Sequence, residues 1–129
     1  MRLLLDTNIL VPLIDGNGRN LPEPVIRALE DDDASLWASV ASIWEVAIKA
    51  MLGRDDFHVE PGVLRRGLLD NGYGELRIGS EHAVAIAGLP PVHKDPFDRI
   101  LVAQAQVEGI TLLTVDPRVA QYPAPVRML

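Results

Sequence analysis

Apolar and polar positions alternate along the chain in blocks that read as short strands separated by helices. Leu3-Leu4-Leu5 is an uninterrupted apolar run that stops at Asp6-Thr7-Asn8, the pattern of a buried strand followed by a helix start. Ile9–Ile14 continues as a short helix up to Asp15-Gly16-Asn17-Gly18, a turn signal. A second helix is expected from Pro22 to about Glu30, with Pro in its first turn and Val25, Ile26 and Leu29 on one face. The acids from Glu30 to Asp33 mark its exit, because the helix dipole disfavours negative charge there. Ser35–Ala38 fits a second strand. Ser39 then caps a helix over Val40–Leu52, in which Ile43, Val46, Ala47 and Ala50 recur with helical spacing, and Gly53 stops it.

The second half repeats the alternation. Val63–Leu69 reads as a helix, Asn71-Gly72-Tyr73-Gly74 as a turn and Leu76–Ile78 as a third strand. A helix opens at Ser80-Glu81-His82 and runs through Ala87, and Pro90-Pro91 breaks the chain. Phe97–Glu108 is the clearest helix, packed by Ile100, Leu101, Ala103, Ala105 and Val107 and closed by Gly109. Ile110–Val115 is a β-rich run ending at Asp116-Pro117, and Val126–Leu129 fits a last short strand. Continuous apolar strands alternating with helices indicate a parallel sheet covered on both faces. The expected architecture is α/β: a three-layer α/β/α sandwich with Leu3–Leu5 central in the sheet and Ile110–Val115 at its side.

Length and composition narrow this picture. The 129 residues fit one domain, expected to span 1–129, and bury enough surface for a real core. Without cysteine the chain forms no disulfide or thiolate metal site, which fits a reducing cytoplasm. Asp6 interrupts the N-terminal apolar run too early for a signal peptide, and no stretch is long and apolar enough for a membrane span. The net charge of −6 excludes a broad basic face of the kind that grips a duplex. Any contact with nucleic acid should be local and bridged by cations.

The candidate chemistry lies in the carboxylates. In open parallel sheets ligands bind beyond the carboxyl ends of the strands. Asp6 follows the first strand and Asp116 the late strand, so both belong to one rim. Glu45 sits in the helix after the second strand and Asp98 in the first turn of its helix. Like charges gathered in a cleft repel unless a cation joins them. Mg²⁺ or Mn²⁺ suits carboxylate and water oxygens better than Zn²⁺ does, and such an ion assists phosphodiester hydrolysis. Each acid alone also has an ordinary explanation: Asp6 as a helix cap, Glu45 as an i,i+4 partner of Lys49, Asp98 as a charge complementing the dipole, and Asp116-Pro117 as a turn.

Taken together, Leu4-Leu5-Asp6-Thr7-Asn8, Ser42-Ile43-Trp44-Glu45, His93-Lys94-Asp95-Pro96-Phe97-Asp98-Arg99 and Leu113-Thr114-Val115-Asp116 resemble the ordered signature of PIN-domain ribonucleases. The closest likeness is to the VapC-type toxins of bacterial toxin–antitoxin pairs, and it spans nearly the whole chain. The resemblance implies a metal-dependent endoribonuclease using Mg²⁺ or Mn²⁺, a homodimer, and a tight complex with a cognate antitoxin. Carried over by position, Asp6, Glu45, Asp98 and Asp116 form the acidic quartet, with Asp6 and Asp98 as direct metal ligands. Thr114 and Asn8 support the site by hydrogen bonding, and Ser42 does so from one turn before Glu45.

The remaining residues divide between site and scaffold. Asp95 reads as the N-cap of the helix that carries Asp98, and His93 as a supporting histidine rather than the base. Arg99 and Lys49 are the candidates for phosphate contact, Trp37 and Trp44 for the core, and His58 and His82 for the surface. A receiver-like domain would need paired acids after the first strand and a late lysine, but Thr7 follows Asp6 and Val126–Leu129 holds no lysine. A haloacid-dehalogenase-like phosphatase would need an Asp where Asn8 stands. A DNA-directed nuclease of the same fold and a catalytically silent, partner-binding PIN domain remain open alternatives.

Overall fold

A computed structural model describes residues 1–15, 21–53 and 59–129. Five strands, β1 (Arg2–Leu5), β2 (Ser35–Ser39), β3 (Gly74–Leu76), β4 (Thr111–Thr114) and β5 (Val126–Met128), form one sheet in the order β3-β2-β1-β4-β5. Every pairing is parallel. Six helices connect them: α1 (Thr7–Asp15), α2 (Glu23–Leu29), α3 (Val40–Met51), α4 (Pro61–Asp70), α5 (Ser80–Ile86) and α6 (Pro96–Glu108). The expected α/β/α sandwich with Leu3–Leu5 central is therefore observed.

The period-two geometry of β1 explains why its leucines are all needed. Leu4 points into a core with Leu112, Leu101 and Ile100, while Leu3 and Leu5 point into a second core with Leu113, Leu10, Leu64 and Leu68. All three are essentially inaccessible to water, so an alternating pattern would leave one face of the sheet unburied. Helix α3 serves both layers, giving Ala41 to one core and Val46 to the other.

Two expectations shift at the level of packing. The third strand lies at Gly74–Leu76, not Leu76–Ile78. Gly74 pairs with Trp37, and a Cβ there would stand 2.5 Å from the indole ring. The glycine that reads as a turn thus admits an aromatic ring against the edge strand. In α6 the buried set runs from Ile100 to Ala105, including Val102 and Gln104, whereas Val107 is exposed, because this helix is flanked by α3 and α5 as well as the sheet. Helix α1 tolerates Pro12 in its interior; the helix is short, and the missing donor leaves only the Asn8 carbonyl without its i+4 partner. The Gly16-Asn17-Gly18 part of the expected turn, and His58, lie outside the described residues.

Caps fix the ends that matter for the site. Ser39 accepts from the Ala41 N–H at 3.0 Å and starts α3. Asp95 accepts from Phe97 at 2.8 Å and starts α6, whose far end closes on Gly109 at φ +63°. Among the described residues no helix is long and apolar enough to cross a membrane.

Candidate active site

Since all strands run the same way, their carboxyl ends share one edge, and β1 and β4 are neighbours at the point where the chain reverses its direction of winding. Asp6 extends that edge, its N–H donating to the Leu113 carbonyl at 3.0 Å. Its side chain is 1% exposed. The Thr114 hydroxyl, at the end of β4, donates to Asp6 Oδ2 at 2.7 Å and accepts the Asp116 N–H at 3.0 Å. One buried hydroxyl therefore ties two of the four acids together from neighbouring strands.

Burial raises the Asp6 carboxyl above its ordinary range. Thr114 opposes the rise, the Glu45 charge adds to it, and the main-chain amides of Thr7 and Asn8 oppose it. Asn8 thus acts through its backbone, and its side chain is exposed. Asp98, in the first turn of α6, is pushed up to about 7 by burial first and then by the charges of Asp6 and Asp95, against the pull of His93. Nε2 of His93 lies 2.8 Å from Asp98 Oδ2.

Two acids of the quartet hold cations of their own. Glu45, buried on α3, meets Lys49 at 3.0 Å one turn later. Asp116 accepts the Arg118 N–H at 2.8 Å and meets the Arg118 guanidinium at 3.2 Å. Burial alone would raise the Asp116 carboxyl, but the contacts with Arg118 outweigh it and hold it below the usual range. Among the described residues Asp6 meets no cationic side chain and Asp98 meets only the His93 imidazole, and theirs are the carboxyls whose ionisation is disfavoured. One oxygen or nitrogen each of His93, Asp98 and Asp116 falls within 4.8 Å of the others. The donor chemistry fits a hard divalent cation, which would favour the ionised forms of Asp6 and Asp98 that burial disfavours.

Supporting residues take up different tasks from those expected. Ser42 accepts from Thr7 at 2.8 Å, so it clamps α3 to α1 and does not touch Glu45. The Arg99 guanidinium is engaged within the fold: its Nη1 donates to the carbonyls of Pro90 and His93 and to the Tyr122 hydroxyl, and its Nη2 to the carbonyls of Ile86 and Leu89. It braces the segment that carries His93, because five donors in a rigid fork satisfy a knot of carbonyls that no helix pairs. Tyr122 completes the brace, accepting the His93 N–H at 3.1 Å and donating to its carbonyl at 3.0 Å.

Two surface assignments reverse. Trp44 is not core: it is 56% exposed and meets Phe97 edge-to-face at 5.2 Å, because α3 buries the side holding Ala41, Ser42, Glu45 and Val46. His82 is not on the surface: it is 2% exposed, its Nδ1 accepting the Gly79 N–H and its Nε2 bonded to Glu108, both at 2.9 Å. Thr7, Arg118 and Tyr122 were not singled out by the sequence. The Asp116–Arg118 spacing is a local turn signal that could have been read. The Tyr122–His93 and Thr7–Ser42 contacts join distant segments and leave no local trace.

Comparison with known proteins agrees with this fold. A family model described as PIN domain matches residues 3–125. No curated protein matches the sequence. Among solved structures, the fold is similar to one of VapBC2 from Rickettsia felis bound to a DNA fragment from their promoter, with TM-score 0.75 and 16% identity over 100% of this chain and 99% of that one. It is also similar to a toxin–antitoxin complex from Klebsiella pneumoniae, with TM-score 0.65 and 21% identity over 98% and 96% of the two chains. A structure of VapBC-1 from nontypeable Haemophilus influenzae matches with TM-score 0.65 and 18% identity over 99% and 98%.

Proposed function

The chain belongs to the PIN domain family, and from that premise we propose that residues 1–129 form one metal-dependent endoribonuclease domain, the toxin of a toxin–antitoxin pair. The observation that carries the reading is the convergence of Asp6 and Asp98 on one rim, both carboxyls raised first by burial, then Asp6 by the charge of Glu45 and Asp98 by the charges of Asp6 and Asp95. Buried acids whose charges oppose one another are unfavourable to the empty fold and favourable to a bound divalent ion.

Asp6 and Asp98 would hold Mg²⁺ or Mn²⁺, with Glu45 and Asp116 completing the acidic quartet. When bound, such an ion polarises a phosphoryl oxygen and lowers the pKa of a water at neutral pH. Thr114 fixes the orientation of Asp6, and His93 that of Asp98, so each carboxylate meets its load without rotating. Asn8 contributes its amide to Asp6. Ser42 and Arg99 keep α1, α3 and the His93 segment in register.

The partners follow from the same reading. The three similar structures belong to toxin–antitoxin systems, two of them described as VapBC, which supports a cognate antitoxin for this chain in the cytoplasm. A homodimer is proposed with it. The exposed apolar cleft of about 310 Å³ formed by Trp44, Ile78, Ile86 and Phe97 supports a contact of that kind.

The test is cleavage of single-stranded RNA and of DNA of the same sequence. RNA cleavage that stops with EDTA and returns with Mg²⁺ or Mn²⁺, more weakly with Zn²⁺, is expected. Cleavage confined to DNA transfers the reading to a DNA-directed nuclease. Absence of cleavage with either, in protein freed of any antitoxin, leaves a silent partner-binding domain.

A further inference from the structure

A cleft of about 560 Å³ opens beside Glu45, between α3 and the start of α6. Resting on the nuclease reading, we propose that this cleft seats the nucleotide next to the cut in a single-stranded substrate, with Lys94 and Lys49 binding its phosphate.

The first observation is where the lysines are. The chain has two, Lys49 and Lys94, and both line this one cleft. In a protein of net charge −6 the two lysines balance the Glu45 and Asp95 carboxylates that line the same cleft. Several other cations are already engaged: Arg27 with Glu23, Arg65 with Glu75, Arg118 with Asp116, and Arg99 with its carbonyls. Lys94 is exposed, and among the described residues no carboxylate lies within 4.0 Å of it. Asp95, on the same wall, turns its carboxylate to the amides of Phe97 and Asp98. Lys49 is a third exposed and holds Glu45 at 3.0 Å, so its ammonium stands at the boundary between cleft and acidic quartet.

Position supplies the second argument. Lys94 directly follows His93, whose ring touches Asp98. It also faces the neighbouring hollow of Pro91, His93 and Arg99. Lys94 thus lines two adjoining hollows, one holding Glu45 and the other His93, so its ammonium belongs to the surface around the acidic cluster.

The floor is the third. Ile48, Leu52, Pro96 and Phe97 make it apolar, and Phe97 is steadied by Trp44 against its ring. Two ammoniums above an apolar floor match a nucleotide, whose phosphate is charged and whose base presents a flat face. A duplex would require cations spread along a broad face, and here they are confined to one cleft. The occupant is a single strand.

The test compares Lys94→Gln, Lys49→Gln and the double variant on a labelled single-stranded oligoribonucleotide and on a dinucleotide carrying only the scissile phosphate. Lys94→Gln should leave kcat unchanged, raise KM for the oligonucleotide alone, and lower the slope of log affinity against log salt by about 0.7. The double variant should lower it by about 1.4, and Lys94→Arg should restore the wild-type slope. Wild-type KM and salt slope in the double variant would overturn the proposal. Equal losses on the dinucleotide would overturn it too, since they would mark a structural role. Fluorescence anisotropy with the same oligonucleotide reads the cleft without any cleavage. A wild type that cuts nothing therefore counts against the nuclease reading, while the salt slope still decides the cleft.

Discussion

His93 and Asp98 meet at 2.8 Å on a rim where two other carboxylates push against the same charge. The imidazole favours the ionised form of Asp98, and burial with Asp6 and Asp95 favours the neutral one. The second group prevails, pushing the carboxyl up to about 7, well above the usual carboxylate range.

A group whose folded pKa is raised contributes stability that is complete below its unfolded value and is lost as pH rises through the folded one. Metal-free protein should accordingly lose melting temperature between about pH 4 and pH 7, by several degrees for a domain of this size. Asp6 acts in the same direction. Asp116, lowered by Arg118, acts in the opposite sense but only below its ordinary range. Thermal melts in EDTA across this window check the sign, and Asp98→Asn should flatten the profile. A melting temperature that climbs from pH 4 to 7 contradicts the assignment.

Asp6→Asn and Asp98→Asn should each cut Mg²⁺-dependent cleavage by at least about a hundredfold while leaving the fold intact. The amide keeps the shape and removes the charge, so the metal-free melting temperature at pH 8 should rise as repulsion is relieved. His93→Ala should cost far less activity than either. A collapsed melt for Asp6→Asn would assign that residue to helix capping instead.

Thr114→Val preserves volume but removes the hydroxyl that joins Asp6 to the Asp116 amide. Leaving two buried partners unmatched should destabilise the fold by about 1–3 kcal/mol. Metal affinity, measured by calorimetry, should fall by about tenfold to a hundredfold. Unchanged affinity would remove Thr114 from the site.

Arg99→Lys tests whether that cation braces the loop or binds substrate. Lysine cannot reproduce the fork that reaches Ile86, Leu89, Pro90 and His93, so stability should drop by about 1.5–3 kcal/mol in urea titration. The salt slope of RNA binding should stay at its wild-type value. A reduced slope with unchanged stability would return Arg99 to the phosphate contacts.

The sequence by itself determined the layers and the order of the acids. Leu3-Leu4-Leu5 can be satisfied only by burial on two faces, and Asp6 and Asp116 follow strands while Asp98 opens a helix, so local pattern places these three on the rim. Asp95 and Ser39 announce their helices for the same reason, since capping involves only the next few residues. What tertiary structure decided depends on partners far along the chain. Gly74 belongs to a strand because Trp37 lies across from it; His82 is buried because Glu108 arrives from another helix. Arg99 is taken from the substrate by carbonyls of the loop before it and by Tyr122. Which carboxyls are raised was likewise decided in three dimensions, where burial brings Asp6 under the charge of Glu45 and Asp98 under the charge of Asp6. Local pattern encodes backbone hydrogen bonding and the side that faces the core, and it is silent about charges brought together by folding.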